Sequence, residues 1–207
     1  MPGRFYLSCG KSILDFSLAF AGLVIVLPVM IAVALLIKIS SPGPVFFKQK
    51  RVGKNFNLFY LLKFRTMVLD AEKIGPKITK ESDPRITKIG KFFRKTKIDE
   101  LPQLINVLKG EISFVGPRPE VEKYVKIFKE DYRDILMMKP GITDYATIEF
   151  RNEEKILNKY ENTEETYIKE ILPAKIGLYK KYLREAGFIT DLAIIVKTTF
   201  KIIDTKK

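Results

Sequence analysis

The segment from Phe16 to Ile37 reads FSLAFAGLVIVLPVMIAVALLI and contains no charged residue. It is long enough to cross the hydrocarbon core of a bilayer as a helix, which takes about 20 apolar residues. Pro28 lies near its middle and removes one helix hydrogen bond, so the pattern predicts a helix that is bent or broken there. This segment decides the fold, because it commits the N-terminal part of the chain to contact with lipid.

Basic residues flank this segment on both sides. Arg4 and Lys11 precede it, and no acidic residue lies between Lys38 and Arg65. Because positive charge is retained on the cytoplasmic side, both ends are predicted to be cytoplasmic, which favours a re-entrant helix-break-helix with the break at Pro28. A plain single span and a cleaved signal peptide are the alternatives that the flanking charges leave open.

Composition restricts the available chemistry. The 207 residues fit one domain with a sizeable core and include no histidine and one cysteine, Cys9. These counts exclude histidine bases and ligands, Ser-His-Asp arrangements, internal disulfides and cysteine-rich zinc sites. Catalysis therefore has to use carboxylates, lysine, arginine, hydroxyl groups or a metal ion held by oxygen.

The net charge of +13 predicts an anionic partner. Nucleic acid, a phosphorylated substrate and an acidic membrane surface all satisfy that charge. The chain has no aromatic-rich RNA-binding signature, zinc finger or clear helix-turn-helix pattern, which argues against nucleic acid. The apolar segment gives independent support to membrane lipid as a partner.

The remainder of the chain is predicted to be a small α+β domain, mainly helical with short strands. Turn-forming residues at 40–45 mark the exit from the membrane, so residues 1–40 are predicted to form the membrane part and residues 41–207 the part on the cytoplasmic side. Alternation predicts strands at 45–47 and 57–67 with a turn at 53–55, and it puts Lys63 and Arg65 on one strand face. Residues 73–83 are predicted to form a loop, and helices are predicted at 121–128, 153–160, 164–185 with a kink at Pro173, and 191–203. The stretches 168–183 and 192–203 fit amphipathic helices at a lipid interface, and core packing explains the same pattern.

An adjacent acid pair, Asp99 and Glu100, begins the segment IDELPQLIN at residues 98–106. Apolar residues recur there at the spacing of one buried helical face, which predicts a helix with Asp99 at or near its N-cap and Pro102 in its first turn. Backbone N–H groups and the helix dipole at that point stabilise a carboxylate and equally a phosphate. Capping alone explains an acid pair, but the surrounding cations favour phosphoryl chemistry. They are Arg85, Lys88, Lys91, Arg94, Lys95 and Lys97 upstream, and Arg118 in VGPRP downstream.

Seven short motifs occur in order along nearly the whole chain. They are PGPVFFKQ (42–49), RVG (51–53), KFRTM (63–67), DPRIT (83–87), DELPQ (99–103), NVLKG (106–110) and VGPRP (115–119). With these motifs the chain resembles the bacterial sugar transferase family, the small monotopic phosphoglycosyl transferases that start lipid-linked glycan assembly.

The resemblance implies transfer of sugar 1-phosphate from a UDP-sugar to undecaprenyl phosphate, giving undecaprenyl diphosphate sugar and UMP. It implies Mg²⁺ as cofactor, a re-entrant helix broken near Pro28, and a catalytic part on the cytoplasmic face of the bacterial inner membrane. Asp99 matches the family's nucleophile and Glu100 its partner, and the two are expected to hold the metal. The candidate phosphate ligands are Arg94 and Arg118, then Lys63, Arg65 and Arg151.

The match departs from the family pattern in the run PGITDYAT at 140–147. Asp144 stands where glycine is usual and Thr147 where glutamine is usual, and Glu149 and Phe150 replace a common Asn-Gly. Contacts made by this run are therefore not implied by the resemblance. Two alternatives remain at this point, namely direct transfer between two bound substrates without a covalent intermediate, and a non-catalytic membrane scaffold that binds anionic lipid.

Overall fold

The computed structural model describes residues 6–75 and 78–203, which are mainly helical with four short strands. The α-helices are α1 (Lys11–Ser40), α2 (Ala71–Ile74), α3 (Lys88–Thr96), α4 (Gln103–Leu108), α5 (Glu122–Ile127), α6 (Lys129–Ile135), α7 (Tyr145–Glu149), α8 (Glu153–Leu157), α9 (Thr163–Thr166), α10 (Leu172–Glu185) and α11 (Phe188–Ile203). The strands are β1 (Phe46–Val52), β2 (Leu58–Phe64), β3 (Ser113–Val115) and β4 (Gly141–Thr143). The α+β, mainly helical class predicted from the sequence is confirmed. The predicted loop at 73–83 is partly helical, because α2 extends to Ile74, and its residues 76 and 77 lie outside the described part of the chain.

Helix α1 is continuous for 30 residues, with Pro28 inside it. The break predicted at Pro28 is therefore wrong for the secondary structure, whereas the predicted bend and the re-entrant course remain predictions. A proline in a helix interior costs one hydrogen bond and a local clash. The flanking apolar turns retain their own i to i−4 bonds, so the helix continues. Among the described residues, α1 is the one helix long and apolar enough to cross a membrane by length and composition.

One face of α1 packs against the rest of the protein along its whole length. Near its start, Asp15 accepts a hydrogen bond from the backbone N–H of Phe114 at 3.1 Å. Ala19 packs in a core cluster with residues of β2 and α4, and Val33 and Ile37 pack with others from β2 and α3. The opposite face exposes large apolar side chains: Ile13, Phe16, Leu18, Phe20, Val24, Ile25, Leu27, Val29, Ile31, Leu35, Leu36 and Ile39.

Strands β1 and β2 form an antiparallel hairpin in which Phe46 pairs with Phe64 and Val52 with Leu58. The turn predicted at 53–55 is confirmed, and it closes with a hydrogen bond from Gly53 N to Asn57 O at 2.7 Å. The first strand is longer than predicted, while the second ends at Phe64, before Arg65. Burial alternates regularly along β1, but only Val52 is fully buried, so polar residues occupy both faces of the strand and the sequence pattern marked only its first residues.

A second pairing, between β3 and β4, has no counterpart among the predicted elements. The two strands are parallel, and each has three residues. Their backbones are in close contact, since a Cβ added to Gly141 would lie 2.2 Å from Gly116 N. Three-residue strands are too short to show a period, so only the folded chain reveals them.

The largest core cluster of the described residues is formed by residues between Val121 and Tyr179, together with Val52 of β1. The helix predicted over 164–185 is divided into α9, a π-helical turn at Tyr167–Ile171, and α10, with Pro173 in the first turn of α10, where proline is tolerated. Helix α10 buries Ile176, Tyr179 and Tyr182, so core packing explains the stretch 168–183. Helix α11 instead exposes an apolar stripe formed by Phe188, Ile189, Leu192, Val196 and Phe200.

Candidate active site

The acid pair lies in a tight turn between α3 and α4. Helix α3 ends at Thr96, its C-cap residue Lys97 adopts a left-handed conformation with φ of 59°, and a 3-10 turn follows at Ile98–Glu100. Helix α4 starts only at Gln103, so the continuous helix predicted over 98–106 with Asp99 as its N-cap is wrong. No side chain caps α4, and its N-cap position is Pro102. The chain turns sharply between left-handed Lys97 after α3 and Pro102 before α4, and both acids lie in this turn.

Glu100 is held from several directions. Its Oε1 accepts hydrogen bonds from Arg118 Nη2 at 2.6 Å and from Lys63 Nζ at 3.2 Å. Its Oε2 accepts a hydrogen bond from Gln103 Nε2 at 3.0 Å. Burial opposes ionisation of this carboxyl, but Arg118 and Lys63 outweigh burial and hold the pKa of Glu100 well below its usual range. Glu100 is therefore a fixed anion that orders two cations around the site.

Asp99 is buried without comparable support. The residue is only 6% exposed, and its Oδ1 has no hydrogen-bond partner among the described residues. Burial, together with the neighbouring charge of Glu100, raises the pKa of Asp99 to about 6, although Lys63, Lys97 and Arg94 act in the opposite direction. A buried carboxylate oxygen with no partner is rare in folded proteins and usually marks a ligand site or a reactive group.

The cations predicted to bind phosphate are placed differently from one another. Lys63 and Arg118 both reach Glu100, and burial lowers the pKa of the Lys63 ammonium. Arg94, in the last turn of α3, lies 3.4 Å from Glu154 through Nη2, while its buried Nη1 has no hydrogen-bond partner. Arg151 lines the same cavity as the acid pair.

Arg65 anchors the chain at the C-terminal end of α1. Its Nη1 donates to Pro42 O at 2.5 Å, and its Nη2 donates to Ser41 O at 2.9 Å and to Ser41 Oγ at 2.8 Å. These donors anchor the chain just after α1, and Arg65 also lines the cavity of the acid pair, so its phosphate-binding role stays a prediction. The sequence put Lys63 and Arg65 on one strand face, but β2 ends between them.

Asp99 and Glu100 open onto a cavity of about 1050 Å³. Lysine and arginine outnumber aspartate and glutamate two to one among its lining residues. Its volume is at the upper end of the range for small-molecule sites, and its charge suits a ligand with more than one phosphate. Apolar side chains line part of it, including Leu101, Leu104, Phe114 and Ile142.

The donor set fits Mg²⁺ better than a metal that needs a full protein cage. Within residues 6–75 and 78–203, no group of three or more histidine, cysteine, aspartate or glutamate residues is arranged to hold a metal ion. Mg²⁺ usually takes one or two carboxylates and completes its shell with substrate phosphates and water. Asp99 and the adjacent Glu100 are the two carboxylates that such a site would use.

Three residues of the site were not predicted as site residues from the sequence. Gln103 supports Glu100, Glu154 faces Arg94, and Asp144 accepts a hydrogen bond from the backbone N–H of Arg118. Gln103 belongs to the DELPQ motif, so the motif could have indicated it. Nothing in the local pattern of Asp144 or Glu154 could have indicated these contacts, because both reach residues far away in sequence.

Comparisons with known proteins agree with the motifs. UDP-glucose:undecaprenyl-phosphate glucose-1-phosphate transferases of Escherichia coli (strain K12) and of Xanthomonas campestris pv. campestris are 38% identical over 196 residues and 36% identical over 207 residues, respectively. These matches cover 90% and 97% of this chain, but only 39% and 40% of the relatives. A UDP-N-acetylgalactosamine-undecaprenyl-phosphate N-acetylgalactosaminephosphotransferase of Aeromonas hydrophila is 46% identical over 126 residues, which is 58% of this chain and 29% of that protein.

The chain therefore spans about two fifths of the length of the first two relatives. The family model for bacterial sugar transferases matches residues 6–205, nearly the full length. The resemblance inferred from the motifs is confirmed, and the chain belongs to the bacterial sugar transferase family.

Proposed function

We propose that this protein transfers sugar 1-phosphate from a UDP-sugar to undecaprenyl phosphate, giving undecaprenyl diphosphate sugar and UMP. One observation carries the proposal: Asp99, in a chain of this family, is a buried carboxylate with a partnerless oxygen on a large cation-lined cavity. Named relatives that act on undecaprenyl phosphate with sugar 1-phosphates support the substrate classes.

Asp99 is the proposed nucleophile. Its carboxylate oxygen attacks the phosphorus that bears the sugar, the bond from that phosphorus to the UMP oxygen breaks, and UMP leaves with the electron pair. An oxygen of undecaprenyl phosphate then attacks the phospho-aspartate and regenerates the free carboxylate. A carboxylate is a weak nucleophile, so burial away from hydrogen-bond donors helps, because it leaves the attacking oxygen unsolvated.

Mg²⁺ is the proposed cofactor, with Asp99 and Glu100 as its protein ligands. When bound, it supplies positive charge to the phosphate oxygens that would otherwise repel the attacking carboxylate. Lys63 and Arg118 supply further positive charge from the protein and are already ordered by Glu100. Arg94 is placed to add a guanidinium whose Nη1 is buried and still without a partner.

The membrane helix is proposed to enter and leave on one side of the bilayer, with the catalytic part on the cytoplasmic face of the inner membrane. A plain span would put the two ends of α1 on opposite sides, whereas re-entry requires the helix to bend, and Pro28 is the expected position of the bend. Both ends instead contact the same folded unit, through an ion pair of Lys11 with Asp191 and through the Arg65 bonds to Ser41 and Pro42. The exposed stripe of α11 adds a second apolar surface.

Release of UMP from a panel of UDP-sugars tests the reaction. The assay uses purified full-length protein with Mg²⁺ and undecaprenyl phosphate, and it compares the wild type with Asp99→Asn and with Glu130→Gln, a carboxylate change on an exposed surface of α6. We expect release with at least one donor, lost in Asp99→Asn and unchanged in Glu130→Gln. No release from any UDP-sugar would refute the proposal and favour a lipid-binding scaffold.

A single-turnover experiment without acceptor tests the covalent step. We expect about one equivalent of UMP per active site and a mass increase equal to one sugar phosphate on the peptide that contains Asp99. UMP release that strictly requires the acceptor, with no modified peptide, would instead establish direct transfer between two bound substrates.

The single cysteine provides a direct test of membrane topology. Cys9 is exposed and lies just before α1. A membrane-impermeant maleimide is predicted to label it in inside-out vesicles and not in intact spheroplasts, with a Ser82→Cys change in a Cys9→Ser background as the marker for the catalytic side. Labelling of Cys9 from the outside, while the Ser82→Cys marker protein is labelled only from the inside, would establish a plain span.

A further inference from the structure

We infer that Asp144 is a positioning residue for the reaction, acting by holding the backbone of Arg118 in the orientation that brings its guanidinium onto Glu100. The inference rests on the proposed function, because Arg118 matters to activity only if the acid pair carries out the transfer. It assigns a role to the position at which the sequence departs from the family pattern.

Asp144 makes two contacts with its two carboxylate oxygens. Its Oδ1 accepts a hydrogen bond from the backbone N–H of Thr147 at 2.6 Å, which caps α7. Its Oδ2 accepts a hydrogen bond from the backbone N–H of Arg118 at 3.3 Å. The residue is 1% exposed, so neither contact is replaced by water when it is lost. Oδ1 therefore caps α7, while Oδ2 connects Asp144 to the segment that contains Arg118.

Arg118 is thereby fixed at three points. Asp144 holds its backbone N–H, Ile142 O accepts from its Nη1 at 3.2 Å, and Glu100 Oε1 accepts from its Nη2 at 2.6 Å. Pro117 and Pro119 restrict the backbone on either side and have no N–H of their own. The Arg118 amide is thus the one donor through which this three-residue stretch can be anchored by its own backbone N–H groups.

The neighbouring backbone explains why a side chain is needed for this anchor. Strands β3 and β4 pair as far as Val115 and Thr143, and the last backbone hydrogen bonds between the two segments involve Gly116 and Pro117, just before Arg118. Asp144 follows β4 directly and Arg118 lies just beyond β3, so the carboxylate continues the connection after the strand pairing has ended. A guanidinium displaced by about 1 Å loses its alignment with Glu100 and with a phosphate, and displacements of that size cost up to about a hundredfold in rate.

Two substitutions separate positioning from helix capping. Asp144→Asn is nearly isosteric, and its carbonyl oxygen caps α7, but its amide group cannot accept from Arg118 N–H. Asp144→Ser also caps α7, but its single shorter hydroxyl does not reach Arg118. The control is Asn162→Gly, which removes a cap at the exposed start of α9. Both Asp144 variants are expected to lower kcat/KM for UMP release by about tenfold or more, and the control variant is expected to leave it unchanged.

A double-mutant cycle with Arg118→Ala identifies the route of the effect. If Asp144 acts through Arg118, Asp144→Ser lowers kcat/KM about tenfold in the wild-type background and less than about twofold when Arg118 is already alanine. An equal loss in both backgrounds, or no loss in either, would overturn the inference while leaving the proposed function intact, provided that the wild type releases UMP.

Amide hydrogen exchange gives a readout that does not depend on activity. The Arg118 amide is expected to exchange faster in Asp144→Asn and Asp144→Ser than in the wild type and in Asn162→Gly. In the stretch 117–119 the Arg118 amide is the one exchangeable backbone amide, since Pro117 and Pro119 contribute none. Unchanged protection of the Arg118 amide in both Asp144 variants would refute the contact itself.

Discussion

Replacing Asp99 with asparagine is expected to stabilise the metal-free protein while abolishing its activity. The carboxyl has a pKa of about 6 in the folded protein, against 3.8 for the ordinary group. One pKa unit corresponds to about 1.4 kcal/mol, so the ionised form of Asp99 destabilises the fold by about 3 kcal/mol at pH 8. Asparagine cannot ionise and avoids this cost.

The direction in which folding stability changes with pH follows from the pH at which Asp99 ionises in the folded and in the unfolded state. The unfolded chain loses the Asp99 proton near pH 4, and the folded protein keeps it to about pH 6. Between these values the unfolded state is favoured increasingly as pH rises, and above pH 6 the full destabilisation is present. The stability difference between Asp99→Asn and the wild type should therefore be near zero at pH 4 and reach its maximum by pH 7.5.

Thermal unfolding in detergent with EDTA measures the effect. For a protein of this size, about 3 kcal/mol corresponds to a midpoint increase of about 6–12 °C for Asp99→Asn at pH 8. Glu100→Gln is the opposite case. The Glu100 carboxyl of the wild type has a lowered pKa in the folded protein, so its ionised form stabilises the fold above the pKa of the unfolded chain. That variant should be less stable than the wild type at pH 8, with the difference shrinking as pH falls.

Added Mg²⁺ is expected to reduce the stability difference between Asp99→Asn and the wild type. A cation bound at Asp99 compensates its buried charge, so the advantage of Asp99→Asn at pH 8 should decrease as the Mg²⁺ concentration rises. Two results would refute the conclusion that ionised Asp99 destabilises the fold. One is an equal unfolding midpoint for Asp99→Asn and wild type at pH 8 in EDTA, and the other is a difference in unfolding midpoint that is the same at pH 4 and pH 8.

Two other changes test the site and its scaffold. Arg118→Lys keeps the charge but loses the forked contact with Glu100, so we expect UMP release to fall at least about tenfold, and a rate within twofold of wild type would show that the fork is unimportant. Gly90→Ala places a Cβ 2.1 Å from Thr66 O and should lower the unfolding midpoint by several degrees, whereas Gly177→Ala, with no atom within 4 Å of the added Cβ, should raise it slightly. Equal midpoints for these two glycine variants would contradict the close packing of α3 on the chain after β2.

Local patterns were sufficient for several elements. The run from Phe16 to Ile37 is apolar over its whole length, so its helical state depends little on partners. The hairpin was likewise predictable, because its turn residues and the alternation of β2 are properties of neighbouring residues. The acid pair and the family motifs are also contained in short stretches, which is why sequence comparison and motif analysis agree.

The sequence by itself determined the long apolar N-terminal helix, the hairpin, the family and the identity of the acid pair. Tertiary structure decided which of the surrounding cations contact the acid pair. Lys63 and Arg118 contact Glu100, whereas Arg65 anchors the chain just after α1. It also decided that Asp99 is a partnerless buried acid in a 3-10 turn and that Asp144 supports Arg118. The physical reason is that burial, pKa and side-chain partners depend on residues brought together from distant parts of the chain.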